Sequence, residues 1–131
     1  KDYQQLVIVR RLVADLDLGV EIVGHPIERD PDGLAMSSRN LRLTPEQRTA
    51  AVCVPRSLAA ATEAARAGRT PGEVVQAAVD VIAAEPLARH EYTTVFDPRT
   101  LCEVDQMTDG LRIATAVWFG DVRLIDNRDL A

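Results

Sequence analysis

Aromatic residues are scarce, at 4% of 131 positions, with a single Trp. Nucleic-acid readers that stack bases on aromatic platforms need more than this. Basic charge is also in deficit: 15 Lys and Arg stand against 20 Asp and Glu, a formal net charge of −5. That balance excludes an extended phosphate-tracking surface, so DNA and RNA are not expected partners. Only two cysteines are present, Cys53 and Cys102. Two cannot build a disulfide framework, and both are expected to be small core residues. Histidine is limited to His25 and His90, too few and too far apart for a metal-ligand spacing, and no metal ligand is assigned. His25 is expected to pack beside a strand. The longest apolar stretch, near 113–119, falls far short of the roughly 20 residues that cross a bilayer, and no basic-then-apolar signal opens the chain. What remains is a soluble, cytoplasmic globular chain of about one domain's length, 47% hydrophobic.

Over 2–18, apolar Leu6, Val9, Leu12, Val13 and Leu16 recur every three or four residues among charges, which predicts an amphipathic helix stopped by Gly19. Val20-Glu21-Ile22-Val23 reads as a short strand closed by Gly24-His25-Pro26. Helix, turn and strand make half of a βαβ unit, so the opening is expected to be the tail of an α/β sheet whose other strands lie outside these residues. A long polar loop follows over 28–43, interrupted by Leu34-Ala35-Met36; loops of this kind are often functional. Thr44-Pro45-Glu46-Gln47 and Thr70-Pro71-Gly72-Glu73 each place a capping Thr, a Pro at the first helical position and Gln or Glu at the third. They predict helices over 45–67 and from 71 to the limit set by Pro86, joined as a hairpin at Gly68. Three antiparallel strands are expected over 91–97, 111–119 and 122–125, with Trp118 in the core. The domain division is placed near Arg42: 1–42 as the end of an α/β domain, 43–131 as a small α+β domain.

Two clusters could carry chemistry. Behind Asp32-Gly33, the run Met36-Ser37-Ser38-Arg39-Asn40 offers hydroxyls, a guanidinium and consecutive backbone N–H groups suited to phosphate oxygens, in a loop expected to order around a ligand. A solvated turn with Met36 tucked into the core is the other reading. At the chain's start Lys1, Asp2 and Gln5 share the first helical turns, where a cation, a carboxylate and an amide would converge. An exposed capped helix start explains the same residues.

Together, Lys1-Asp2-Tyr3-Gln4-Gln5-Leu6, Val20-Glu21-Ile22-Val23-Gly24 with Pro26, the run 32–40, and Gly120-Asp121-Val122-Arg123-Leu124-Ile125-Asp126-Asn127 resemble the C-terminal portion of the pantothenate synthetase (pantoate beta-alanine ligase) family. The likeness spans nearly the whole chain and does not include that superfamily's upstream His-x-Gly-His signature. His25 and Glu28 stand where the family usually carries aliphatic residues, and Arg42 where an aromatic is common.

The resemblance implies an α/β plus α+β fold: the end of a Rossmann-like nucleotidyltransferase domain, then a helical lid domain with a small three-stranded antiparallel sheet. It implies a ligase of coenzyme A biosynthesis that condenses pantoate with beta-alanine, using ATP with Mg²⁺, through a pantoyl adenylate, releasing AMP and pyrophosphate. By this analogy Lys1, Ser37, Ser38 and Arg39 hold phosphates and act in catalysis, and Asp2 accepts from ribose hydroxyls. Met36 packs near the adenine, the backbone at Glu28 meets its edge, and Gln5 orients pantoate. A homodimer contact would lie mainly in the N-terminal portion, and this chain alone would be inactive. A noncatalytic lid or interaction module and an adenylating ligase for another small acid are the competing readings.

Overall fold

The computed structural model describes residues 2–130. Helix α1 spans Tyr3–Asp15, and its N-cap Asp2 accepts a 3.1 Å hydrogen bond from the Gln5 N–H. The helix ends earlier than Gly19. Asp17 takes the left-handed conformation (φ 48°), while Leu18 N–H returns to the Val13 carbonyl at 3.1 Å and Asp17 N–H to Ala14 at 3.3 Å. This is a Schellman closure with Asp in the place where glycine is usual; the short polar side chain tolerates that backbone. No residue of α1 is fully buried. Residues 20–23 do not form the expected strand, because a strand takes its backbone partners from a neighbour and none lies alongside among the described residues.

The polar loop is more built than its composition predicts. Arg29 and Ala35 form an antiparallel bridge, Asp30 N–H bonds Leu34 O and Met36 N–H bonds Glu28 O, each at 2.9 Å. Gly33 turns the chain at φ +89°, and a 3₁₀ turn follows over Ser38–Arg42.

The expected single helix over 45–67 is two: α2, Pro45–Ala50, and α3, Cys53–Arg66. Pro55 explains the break. It has no N–H to give the Ala51 carbonyl, which accepts instead from Val54 at 3.0 Å, a tighter turn that re-aims the chain. Thr44 caps α2 through the expected box with Gln47, and Thr70 caps α4, Pro71–Ala83, through the same box with Glu73. Gly68, at φ +73°, closes α3 and opens the hairpin.

Strands β1 (Arg89–Phe96), β2 (Arg112–Phe119) and β3 (Val122–Asp129) form an antiparallel sheet in the order β1-β2-β3. β3 runs four residues beyond its expected end because Asp126 and Asn127 pair with Thr115 and Ala114. One sheet face, with Ile113, Val117, Phe119, Val122 and Leu124, is buried against residues of α3 and α4 such as Leu58, Ala61, Val74 and Ile82. Each such large side chain contributes about 1.5–3 kcal/mol by leaving water. Leu34 belongs to this core and carries the 28–36 loop onto it.

The other sheet face is open, and several expected core residues belong elsewhere. Trp118 is paired with Arg123 and Arg89 on the open face and is only half-buried. Strand alternation decides this: Val117 and Phe119 take the core side, so Trp118 cannot. Cys53 is buried as expected, but Cys102 is exposed in the connection between β1 and β2. His25 is exposed, and Met36 is 56% exposed rather than tucked in.

Candidate functional site

The loop 28–42 is held by arginines on both sides. Arg29 clamps Asp126 of β3 at 2.7 and 2.9 Å and donates to the Gly33 carbonyl at 2.9 Å. Asp126 is almost wholly buried and also accepts the Asn127 N–H at 2.8 Å. Arg48 of α2 donates to Asp32 at 2.7 Å and to Asp30 at 3.0 Å, and its bond to Asp32 holds that carboxyl below its ordinary range. Asp30, Asp32 and Asp126 are thereby spent on scaffold. The loop's remaining chemistry is donor-rich.

Ser37 caps the 3₁₀ turn, its Oγ accepting the Arg39 N–H at 3.2 Å. Ser38 and Arg39 are exposed, and the Arg39 guanidinium has no ion-pair partner among the described residues. Asn40 Nδ2 bonds the Ala35 carbonyl at 3.1 Å, while its Oδ1 is buried without a hydrogen-bond partner among the described residues. A cavity of about 10 Å³ opens there, lined by Ser37, Asn40, Ile125 and Asp126 among others. That volume accommodates at most one water.

Ile125 and Asp126 are also walls of a much larger cleft of about 430 Å³ between the start of α1 and the open face of the sheet. Asp2, Tyr3 and Gln4 line it from the helix; Tyr92, Thr94, Ala114 and Arg123 line it from the strands. Tyr3 fixes the distance between the two walls. Its ring sits 6.2 Å from that of Phe96, and the Arg112 guanidinium lies 4.2 Å above it.

The expected site residues therefore fall into two groups flanking β3. Glu28, Met36, Ser37, Ser38 and Arg39 share one loop, where the Glu28 carbonyl is taken by Met36 N–H. Asp2 and Gln5 share the first turn of α1: Asp2 lines the cleft and caps the helix, and Gln5 is exposed. Lys1 lies outside the described residues. Sequence reading did not single out Arg29, Arg48 or Asp126, which support the loop, nor Tyr92, Thr94 and Arg123 in the cleft wall. The period-2 alternation of β3 carries a signal for Arg123, since charged Arg123 between apolar Val122 and Leu124 must face away from the core.

Arg123 is itself held in place. Its Nε and Nη2 donate to the two Glu91 oxygens at 2.7 and 2.8 Å, and Trp118 Nε1 donates to the same carboxylate. The Arg123 hydrogen bond, helped by Trp118 and the nearby charge of Arg89, holds the Glu91 carboxyl down to about 2.

The family model for Pantoate-beta-alanine ligase matches residues 1–129. Pantothenate synthetase of Chloroflexus aggregans is 53% identical over 129 residues, covering 97% of this chain and 47% of the relative. The Arabidopsis thaliana pantoate–beta-alanine ligase is 43% identical over 130 residues, covering 99% of this chain and 42% of its own. Pantothenate synthetase from Thermus thermophilus superposes with a TM-score of 0.95 at 42% identity, over 99% of this chain and 47% of that one. A Francisella tularensis pantoate-beta-alanine ligase complexed with beta-gamma ATP and beta-alanine aligns with a TM-score of 0.64 at 27% identity, over 99% of this chain and 41% of that one. The chain thus spans about half the length of the curated relatives it matches. With the donor-rich loop, the capped helix start and the three-stranded sheet all within the matched residues, the chain belongs to the pantoate-beta-alanine ligase family.

Proposed function

We propose that this chain supplies the C-terminal part of a cytoplasmic, AMP-forming ligase site, in which residues 1–42 contribute to nucleotide binding and 43–131 form a lid. The reaction is condensation of pantoate with beta-alanine. A pantoate carboxylate oxygen attacks the α-phosphorus of ATP as the bond to pyrophosphate breaks. The beta-alanine amine then attacks the acyl carbon, losing a proton as AMP departs. The single observation that carries this reading is the donor-rich turn over 37–40, in a loop where Arg29 is tied to Asp126 of β3 and Arg48 pairs with Asp30 and Asp32, with Arg39 left exposed.

Negative charge grows on the departing phosphoryl oxygens, and donors fixed in advance are worth most there. Ser37, Ser38 and Arg39 supply them in this reading, with Lys1. Asp2 keeps one carboxylate oxygen on the Gln5 N–H, which leaves the other for a ribose hydroxyl. Gln5, one turn along, orients pantoate through its side-chain amide. Met36 offers an exposed apolar side chain to the adenine face, beside the backbone at Glu28.

Mg²⁺ belongs in this reading to the nucleotide's phosphates, as is usual for that ion. Among the described residues no group of three or more His, Cys, Asp or Glu is arranged to hold a metal, so these side chains supply no cage and no step is assigned to it. No described helix is long and apolar enough to cross a membrane. Homodimerisation of the whole ligase would rest on the length that the relatives have beyond this match.

The test is AMP release from ATP, pantoate and beta-alanine. The 131-residue chain alone should stay at background, and the same chain joined to the remaining length of the Chloroflexus aggregans relative should turn over. Turnover of about 1 per second by the chain alone, or a folded chimera with none, contradicts the reading.

A further inference from the structure

The open face of the sheet carries an arginine that the reading above leaves without a role. Arg123 reaches the 430 Å³ cleft from β3, opposite Asp2 and Gln4. Its Nε–Nη2 edge is committed to Glu91. Trp118 Nε1 donates to the same Glu91 oxygen as Arg123 Nε, and Arg89 lies 5.2 Å above the Trp118 ring. Two arginines therefore surround one carboxylate, so the cluster carries a net positive charge. The small side chain of Ala114 lies in the same wall.

Of the cleft's carboxylates, Asp126 is paired with Arg29, Glu103 accepts from the Thr94 hydroxyl at 2.9 Å, and one Asp2 oxygen accepts the Gln5 N–H. A guanidinium clamped along one edge keeps a planar fork that suits a carboxylate or phosphate. Being already oriented, it loses little side-chain freedom on binding.

We propose that Arg123 is an oxyanion-binding residue of this cleft, and that Glu91 and Trp118 are its positioning residues. The inference rests on the reading of the cleft as a ligase site and adds a residue from the lid side. The oxyanion is either a phosphate group or the carboxylate of the amino-acid substrate, and the probes below separate them.

Trp118 is the sole tryptophan, so its fluorescence reports directly on the Glu91–Arg123 cluster. The chain is titrated with inorganic pyrophosphate and, separately, with beta-alanine, at constant ionic strength set with chloride. A saturable change in Trp118 emission with one of them is expected, and which one identifies the source. Arg123→Gln should weaken that binding about tenfold or more, as loss of a charge-assisted hydrogen bond does. Arg123→Lys should fall between, because it keeps the charge and loses the fork. Glu91→Gln should weaken binding less than Arg123→Gln, since the guanidinium stays but is no longer aimed.

No response to either probe in the unsubstituted chain, a response equalled by chloride alone, or unchanged affinity in Arg123→Gln overturns the proposal. If Arg123→Gln does not fold, the unsubstituted chain and Arg123→Lys decide. ATP binding by Arg39→Ala tests the other reading separately. Loss of ATP binding there with full oxyanion affinity in Arg123→Gln leaves the phosphate loop standing and sinks this inference, and the reverse result does the opposite.

Discussion

Arg29 and Asp126, 97 positions apart in the chain, meet in a two-point ion pair, Nη1 at 2.7 Å from Oδ2 and Nη2 at 2.9 Å from Oδ1. The pair joins the donor-rich loop to the last strand of the sheet. Asp126 has 1% of its side chain exposed and Arg29 24%. Water therefore screens the pair weakly, and removing one partner strands the other's charge.

Asp126→Leu should accordingly lower stability by about 3–5 kcal/mol. The double change Arg29→Met with Asp126→Leu should recover much of that, because it removes the uncompensated charge with the attraction. Urea midpoints of the two variants check this. A single variant within about 0.5 kcal/mol of the unsubstituted chain would show that the pair does not hold the loop.

The two cysteines should differ sharply in reactivity. Burial, with a smaller push from Glu85, raises the Cys53 thiol to about 12, whereas Cys102 is exposed. Only a thiolate attacks an alkylating or disulfide reagent at useful speed. Titration with a chromogenic disulfide at neutral pH should count one fast thiol in the folded chain and two after denaturation. Two fast thiols in the folded chain would place Cys53 at the surface.

Acidification should act through Glu91. Its folded-state value is depressed from 4.5 to about 2, chiefly by Arg123. A depressed carboxyl contributes stability that is fully present above its unfolded value and is lost as pH falls through the folded one. Its share should thus fade between about pH 4.5 and 2, and because Glu91 is exposed the share is modest. Glu91→Gln should flatten the stability profile in that window and leave its shape above about pH 6 unchanged. Trp118 emission should shift over the same window in the unsubstituted chain. An unshifted signal would mean that the three side chains do not meet.

Much of this fold was legible because its signals are local. Both capping boxes, the Gly68 hairpin and the three strands follow from a few adjacent residues. Three misreadings share one cause, dependence on what lies beside a segment. Val20-Glu21-Ile22-Val23 has strand composition, but a ladder partner is a property of the neighbour. Trp118 has core chemistry, yet the register of Val117 and Phe119 turns it outward. Asp17 takes over from Gly19 because helix closure is decided by which carbonyls find donors.

The α2–α3 break has a local signal in Pro55, but the Thr44 cap and Gly68 mark only the outer ends of the segment and so read as one helix. Within the site, the loop's donor content was visible in Ser37-Ser38-Arg39. Its brace was not, because Arg29 and Asp126 become neighbours only after β3 joins the sheet. Arg123 was hidden similarly, since its partner Glu91 lies 32 residues away.

The division of roles we propose has the 37–39 turn acting on phosphate charge during adenylation and Gln5 serving pantoate. Its most direct test is rapid-quench measurement of pyrophosphate release at saturating ATP and varied pantoate, in the chimera that completes this chain. Arg39→Ala should cut the maximal release rate by about 10²–10³, as loss of a preplaced oxyanion donor does. Gln5→Ala should mainly raise the pantoate concentration required, in keeping with a lost hydrogen bond of about 0.5–1.5 kcal/mol. An unchanged maximal rate in Arg39→Ala, together with a rate abolished in Gln5→Ala at saturating pantoate, would contradict the account.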